Sequence, residues 1–144
     1  MSEPVMGSQG DVLGQRIVAV IIDGLVNAVI SLPIIFVLVL GILGAGGSEQ
    51  VASLAGYITT PIMLLYYIVL EGLYGKTLGK MAMSIMVVKE DGSECGWDGS
   101  LIRNVLRPVD ALFGYLVGVI TILASTDSQR IGDHAASTIV VKTE

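Results

Sequence analysis

Charge is what this sequence has least of. Only 15% of its 144 residues are Asp, Glu, Lys or Arg, against roughly 25% in an average soluble domain. Apolar residues take the missing share: 53% of the chain, for a mean hydropathy of +0.78. One soluble core of this size cannot hide that much apolar surface. An ordinary cytosolic enzyme, a disordered chain and a coiled coil are thereby excluded. Basic residues are especially few, 8 against 13 acidic ones, for a formal charge of −5. A nucleic-acid binder needs a basic face to neutralise phosphates, so no nucleic-acid partner is expected. The lone cysteine, Cys95, excludes an intrachain disulfide and a cysteine-based zinc site. The lone histidine, His134, lies in a short tail, where it reads as a surface or capping residue. No Ser–His–Asp or paired-carboxylate array indicates hydrolysis. Gly75-Lys76-Thr77 ends like a phosphate-binding loop, but Leu70 stands where that pattern requires glycine. The chain therefore reads as a non-enzyme, with no cofactor and no metal site.

What it does have is long uncharged runs. Gly24 to Leu43 is twenty residues without a charge, enough to cross a hydrocarbon core of about 30 Å at about 1.5 Å per residue. A second run extends from Gln50 to Leu70, and a third, Ala111 to Thr126, is only sixteen residues long. The residues before the first run are acidic and the run is too long for the apolar part of a cleaved signal, so it is expected to remain as an anchor. The Gly44–Glu49 link has no Lys or Arg, whereas Gly75–Arg107 has Lys76, Lys80, Lys89, Arg103 and Arg107. The positive-inside rule then puts that segment, and the N-terminus with Arg16, in the cytoplasm.

The expected fold is an all-α membrane protein: a small bundle of two full spans plus a third re-entrant or spanning helical segment, with a short cytoplasmic β pairing. Residues 1–12 read as a mobile tail, and 13–144 as one membrane domain. Its spans lie at about 15–43 and 51–74, with Pro33 and Pro61 tolerated inside them. A cytoplasmic link (75–99) carries a short helix near Thr77–Met83, a strand at 84–89 and an Asp91-Gly92 turn. Trp97 reads as an interface anchor and Cys95 as inert. A third helical segment covers 100–125, and the tail 126–144 ends in a β-branched run, 137–142, suited to pair with 84–89.

Charges inside apolar spans cost about 2.5–3.5 kcal/mol each on insertion scales, so each needs a partner or a purpose. Residues seven apart share a helix face. Arg16 and Asp23 are so spaced, followed by Asn27. Span two places Gly56, Thr60, Tyr67 and Glu71 on one face, and the third segment places Arg103, Arg107, Asp110, Gly114, Gly118, Thr121 and Ser125 within one sector. The Gly114–Gly118 spacing permits close helix packing. Three stripes imply a shared interior. Two readings stay open: the charges hold the bundle together, Arg16 or Arg107 compensating Asp23 and Asp110, or they form a cation or proton path with the aspartates as binding groups.

Gly14-Gln15-Arg16 with Asp23, Glu71-Gly72, Gly75-Lys76-Thr77-Leu78-Gly79-Lys80, Ile85–Val88 with Asp91-Gly92, Arg103-Asn104 and Gln129–Val141 form an ordered set. It resembles the RDD family of small prokaryotic membrane proteins, from Gly14 to Lys142. The family is named for one arginine and two aspartates. Arg16 and Asp23 match the first two, and the third is Asp110 or Asp133. Ala136-Ser137-Thr138 stands where the family usually has Ala-Gly-Thr. The resemblance implies a prokaryotic plasma-membrane protein and transport of an unidentified ligand or cation/proton antiport.

The resulting expectation is exchange of a monovalent cation or proton across the lipid bilayer. Two or three short spans enclose too little space for a path, so a homo-oligomer is expected. The alternative is a non-transporting accessory or assembly subunit whose charges only fix packing. The sixteen-residue third run spans about 24 Å at about 1.5 Å per residue, short of a full core, and basic residues flank it on both sides. A re-entrant hairpin near Leu112–Gly118 is therefore expected to return the tail to the cytoplasm, bringing Asp133 near Arg16. Otherwise a straight helix from about Ser100 to Ser125 crosses fully, and Asp110 completes the family trio.

Overall fold

The computed structural model describes residues 3–44, 49–110 and 116–144. Two helices dominate it, α1 (Leu13–Leu43) and α2 (Glu49–Tyr74), and both run through their internal prolines, Pro33 and Pro61. These are the two described helices long and apolar enough to cross a membrane. Their burial is inverted relative to a soluble helix: the buried residues of α1 are Arg16, Ala19, Asp23 and Asn27. Ile21, Val29, Phe36, Val37 and Leu40, by contrast, are all exposed. The spacing of three and four is that of a normal buried stripe, but the stripe is polar and the outer surface apolar. Such a helix satisfies its backbone internally and offers hydrocarbon to hydrocarbon.

At one end of the spans sits a cap. Helix α3 (Leu78–Ala82) starts at Thr77, whose hydroxyl accepts from the Lys80 amide at 3.3 Å. Strand β2 (Ile85–Lys89) follows, and after the turn come α4 (Gly96–Val105) and α5 (Arg107–Asp110). The Asp-Gly turn forms as its residues require: Gly92 has φ +84°, and the Asp91 carboxylate accepts from the Ser93 amide at 2.9 Å. Helix α6 (Leu116–Ala124), helix α7 (Ile131–Ala135) and strand β3 (Thr138–Thr143) complete the order.

The strands at 84–89 and 137–142 do pair. β2 and β3 run antiparallel with Val87 opposite Val140 and Ile85 opposite Lys142. A third strand, β1 (Pro4–Val5), pairs with the other edge of β3. Within the tail expected at 1–12, residues 4–5 are thus paired, and the Ser8 hydroxyl accepts from the Lys142 amide at 2.8 Å. A two-residue edge strand has no periodicity to read, and proline is tolerated there because an edge residue need not donate. Under the sheet lies a small apolar core of Val12, Ala19, Ile85, Val87, Cys95 and Val140.

The third segment departs from a straight helix over 100–125. α4 ends at Val105 with Leu106 as its C-cap, and α5 begins at Arg107, one residue before Pro108. Pro108 has no amide to return to the Asn104 carbonyl, so the helical ladder is interrupted just ahead of it. Gly114 and most of the hairpin expected at Leu112–Gly118 lie outside the described residues. Within the described residues α6 has nine residues, about 14 Å at about 1.5 Å per residue.

The shared sheet requires the Asp91 turn and the C-terminus to lie on one side of the membrane. In a Cys95→Ser background, cysteines introduced singly as Asp91→Cys and Thr143→Cys should behave alike toward a membrane-impermeant maleimide in intact cells. Labelling of one with protection of the other would contradict the pairing.

Candidate functional site

Where the cap meets the spans, five basic and four acidic side chains converge: Arg16, Lys80, Arg103, Arg107 and Arg130, with Asp23, Glu71, Asp110 and Asp133. All are buried except Arg130, whose side chain is 11% exposed. Two carboxylates act as hubs. The first is Asp133, in the first turn of α7, where it also accepts from the Arg130 amide at 3.2 Å. Its Oδ2 takes Arg16 Nη2 at 2.7 Å, and its Oδ1 takes Arg103 Nη2 at 2.8 Å and Arg130 Nη2 at 3.4 Å. Burial alone would raise its pKa, but the Arg103, Arg130 and Arg16 guanidiniums outweigh burial and hold the carboxyl well below the usual carboxylate range. The neighbouring glycine makes this seat: a Cβ on Gly132 would stand 2.5 Å from the Arg103 backbone oxygen.

The second hub is Glu71, near the end of α2. It pairs with Lys80, with Arg103 Nε at 3.2 Å, and accepts from Asn104 Nδ2 at 2.9 Å. Burial lowers the Lys80 pKa to about 8, with Glu71 opposing the shift, so the ammonium is still charged at neutral pH. Arg103, fully buried, reaches both hubs. Arg107 lies 3.5 Å over the Tyr67 ring and donates to Asn104 Oδ1 at 3.2 Å. Asp110 meets Arg130 Nη1 at 3.8 Å.

Asp23 is different. It accepts from Tyr66 Oη at 2.8 Å, the Gly79 amide at 2.8 Å and Thr77 Oγ1 at 2.6 Å. Among the described residues no basic nitrogen reaches it within ion-pair distance. A Cβ on Gly79 would collide with the Ala19 carbonyl oxygen and stand 2.9 Å from Asp23 Cγ, so glycine is what lets α3 press onto α1. Thr77, from the rejected phosphate-loop pattern, thus serves as a helix cap and an Asp23 donor. Beside these residues a cavity of about 340 Å³ opens between α1 and α6, lined by Arg16, Asp23, Lys80, Arg103, Arg107 and Arg130 together with apolar side chains.

Of the residues singled out in the sequence, Arg16, Asp23, Glu71, Arg107, Asp110 and Asp133 all join this cluster, Asp23 through neutral donors. The compensation differs from the expected one: Arg16 pairs with Asp133 and Arg107 stacks on Tyr67. Helical side chains lean toward the N-terminus, so Arg16 reaches out of the span toward the cap. Asp23 sits about 10 Å further along at about 1.5 Å per residue. Of the two candidates for the third family residue, Asp133 is the one that pairs with Arg16. Gly118 packs against Asp110, where a Cβ would meet the backbone oxygen at 3.2 Å; Gly114 is not among the described residues. Gly56 and Thr60 are exposed, and Tyr67 and Glu71, toward the cap end of α2, are buried. Lys80, Arg103, Asn104 and Arg130 complete the network and were not singled out as site residues. Their signal was present in the Gly79-Lys80, Arg103-Asn104 and Gln129-Arg130 pairs of the ordered motif set. His134 is exposed although Asp133 is buried. Burial pushes the Cys95 thiol up, as an inert cysteine requires. Trp97 is 53% exposed and packs its ring on Gly72.

Compared with known proteins, residues 12–137 match the sequence profile of the RDD family, nearly the whole chain, and the chain belongs to that family. Neither a curated protein nor a solved structure matches it.

Removing one partner of a buried ion pair costs about 3–5 kcal/mol because the other is left uncompensated. Arg16→Ala and Asp133→Ala should each lower the detergent melting temperature, and the double variant should lose clearly less than the two losses added. Additive losses would contradict the pairing. Because the Asp133 pKa is depressed in the fold, its contribution is present above the unfolded value of about 3.9. It is lost only as pH falls through the lower folded value. The double-mutant coupling measured at pH 7 should therefore persist at pH 5.

Proposed function

We propose that this RDD-family membrane protein is a multi-pass plasma-membrane subunit with both termini in the cytoplasm. Its buried charges fasten the cap to the spans, and it acts as a non-transporting accessory or assembly component. One observation carries this reading. The hub carboxylates Asp133 and Glu71 are each already held by at least two basic side chains. Held so, the Asp133 carboxylate has no reason to take up a proton near neutrality, and the cavity, lined by five basic side chains against one aspartate, disfavours a further cation. The exposed Gly56 and Thr60 on α2 give a second copy a face for close packing, which supports the homo-oligomer.

The exchange reading keeps one observation of its own. Asp23, on α1 and lining the cavity, has neutral donors as its hydrogen-bond partners among the described residues. It is the residue on which cation or proton exchange would turn.

Reconstitution separates the two. In proteoliposomes holding a proton gradient and a pH-sensitive dye, adding Na⁺, Li⁺ or K⁺ should collapse the gradient no faster than in protein-free vesicles. A cation-dependent collapse that Asp23→Asn abolishes without changing the melting temperature would overturn the accessory reading. The orientation is checked separately: Thr143→Cys in the Cys95→Ser background should resist an impermeant maleimide in intact cells and react after permeabilisation. Ready labelling of intact cells would reverse it.

A further inference from the structure

The cavity between α1 and α6 combines a basic floor with an oily mouth. Leu13, Ile17, Val20 and Ile21 of α1 form one wall, and Val119 and Ile122 of α6 face them. Ile17 and Ile21 are 53% and 58% exposed, so the mouth opens sideways, toward lipid. Its depth follows from helix length. The 31 residues of α1 span about 46 Å at about 1.5 Å per residue, about 16 Å more than the hydrocarbon core. If the far end of α1 stops at the opposite face, the surplus covers Leu13 to about Asp23 and puts the cavity at headgroup depth.

We propose that this cavity holds the headgroup of one acidic phospholipid of the cytoplasmic leaflet, with its acyl chains lying along the apolar wall of α1 and α6. The phosphodiester sits among Arg16, Arg107 and Arg130, away from Asp23. Charge supports the choice of occupant: five basic and four acidic groups leave the cluster one positive charge in excess, which a single phosphodiester neutralises. Donor capacity supports it too, since the buried Arg130 Nε has no hydrogen-bond acceptor among the described residues and a guanidinium suits phosphate oxygens. Size limits the occupant. At about 340 Å³ the space lies at the small end of ligand pockets, so it takes a headgroup and leaves the chains outside. Basic pockets between membrane helices on the cytoplasmic side are where acidic lipids bind. The proposal rests on the cytoplasmic placement of the cap and not on the absence of transport, so a cation response in proteoliposomes leaves it standing.

The test uses the full chain purified in neutral detergent, with bound lipid counted by native mass spectrometry. Added phosphatidylglycerol should be retained at one molecule per chain, with a preference over phosphatidylcholine of at least roughly tenfold, the size of one charged hydrogen bond. Val119→Trp, which fills the mouth and touches no ion pair, should abolish retention while the lipid-free melting temperature stays unchanged. Ile17→Trp, on the opposite wall, serves in its place if that variant does not fold. Equal retention of phosphatidylcholine would overturn the proposal, and so would undiminished phosphatidylglycerol in the plugged variants. Inorganic phosphate that displaces the lipid at equal concentration would assign the site to a free anion and overturn it as well.

Discussion

A carboxylate removed from water must be met by charge, and Asp133 is met by three guanidiniums from three parts of the chain. Arg16 comes from the start of the first span, Arg103 from α4, and Arg130 from the residue that opens α7. The sheet, the short helices and the ends of both spans are placed by this demand. Net stabilisation by such a network is small, because desolvation offsets the attraction. Its effect is on arrangement: three donors around two oxygens admit few relative positions, whereas apolar surfaces admit many. Arg103 extends the constraint by also reaching Glu71, which ties α2 into the same node.

The molecule therefore has two interiors of opposite character. The cap is built as soluble proteins are, with valines of β2 and β3 in two apolar clusters, Val87 and Val140 in one and Val88 and Val141 in the other. The spans reverse this, with polar groups inside and leucine, valine and phenylalanine outside. The charged cluster lies at the junction, where neither water nor lipid solvates it fully. Close backbone approach is what makes the junction dense. Glycine at 79 brings α3 onto α1, and glycine at 132 brings α7 onto α4.

Much of this was legible in the residues. Long uncharged runs locate α1 and α2 because length and charge alone decide whether a helix can cross. The pairing of β2 with β3 was legible because two β-branched runs each needed a partner. β1 was not, since two residues carry no pattern and their pairing is decided by β3. Nor was the break before Pro108, because the polar stripe continues in register across it. Within the site, Arg16, Asp23 and Glu71 stood out because charge is rare among apolar neighbours. Arg103 was legible as part of the third segment's polar stripe, whereas Lys80 and Arg130 lie outside the long apolar runs, where a basic residue is ordinary, and only the fold reveals how far they are enclosed. Partner identity was the least legible. Helix spacing puts Arg16 and Asp23 on one face, but side-chain direction sends the arginine to the cap and leaves the aspartate to Tyr66, Thr77 and Gly79.

If the Asp133 node holds the cap to the spans, its loss must loosen elements that do not touch each other in sequence. Hydrogen exchange on the detergent-solubilised protein, wild type against Asp133→Ala, reads this directly. The amides of Gly96–Val105, Ile131–Ala135 and Thr138–Thr143 should lose protection together, while those in the outer half of α1, from Leu32 to Leu43, exchange as before. Unchanged protection in α4 and β3 would contradict the account, as would loss confined to the turn of α7 that carries the substitution.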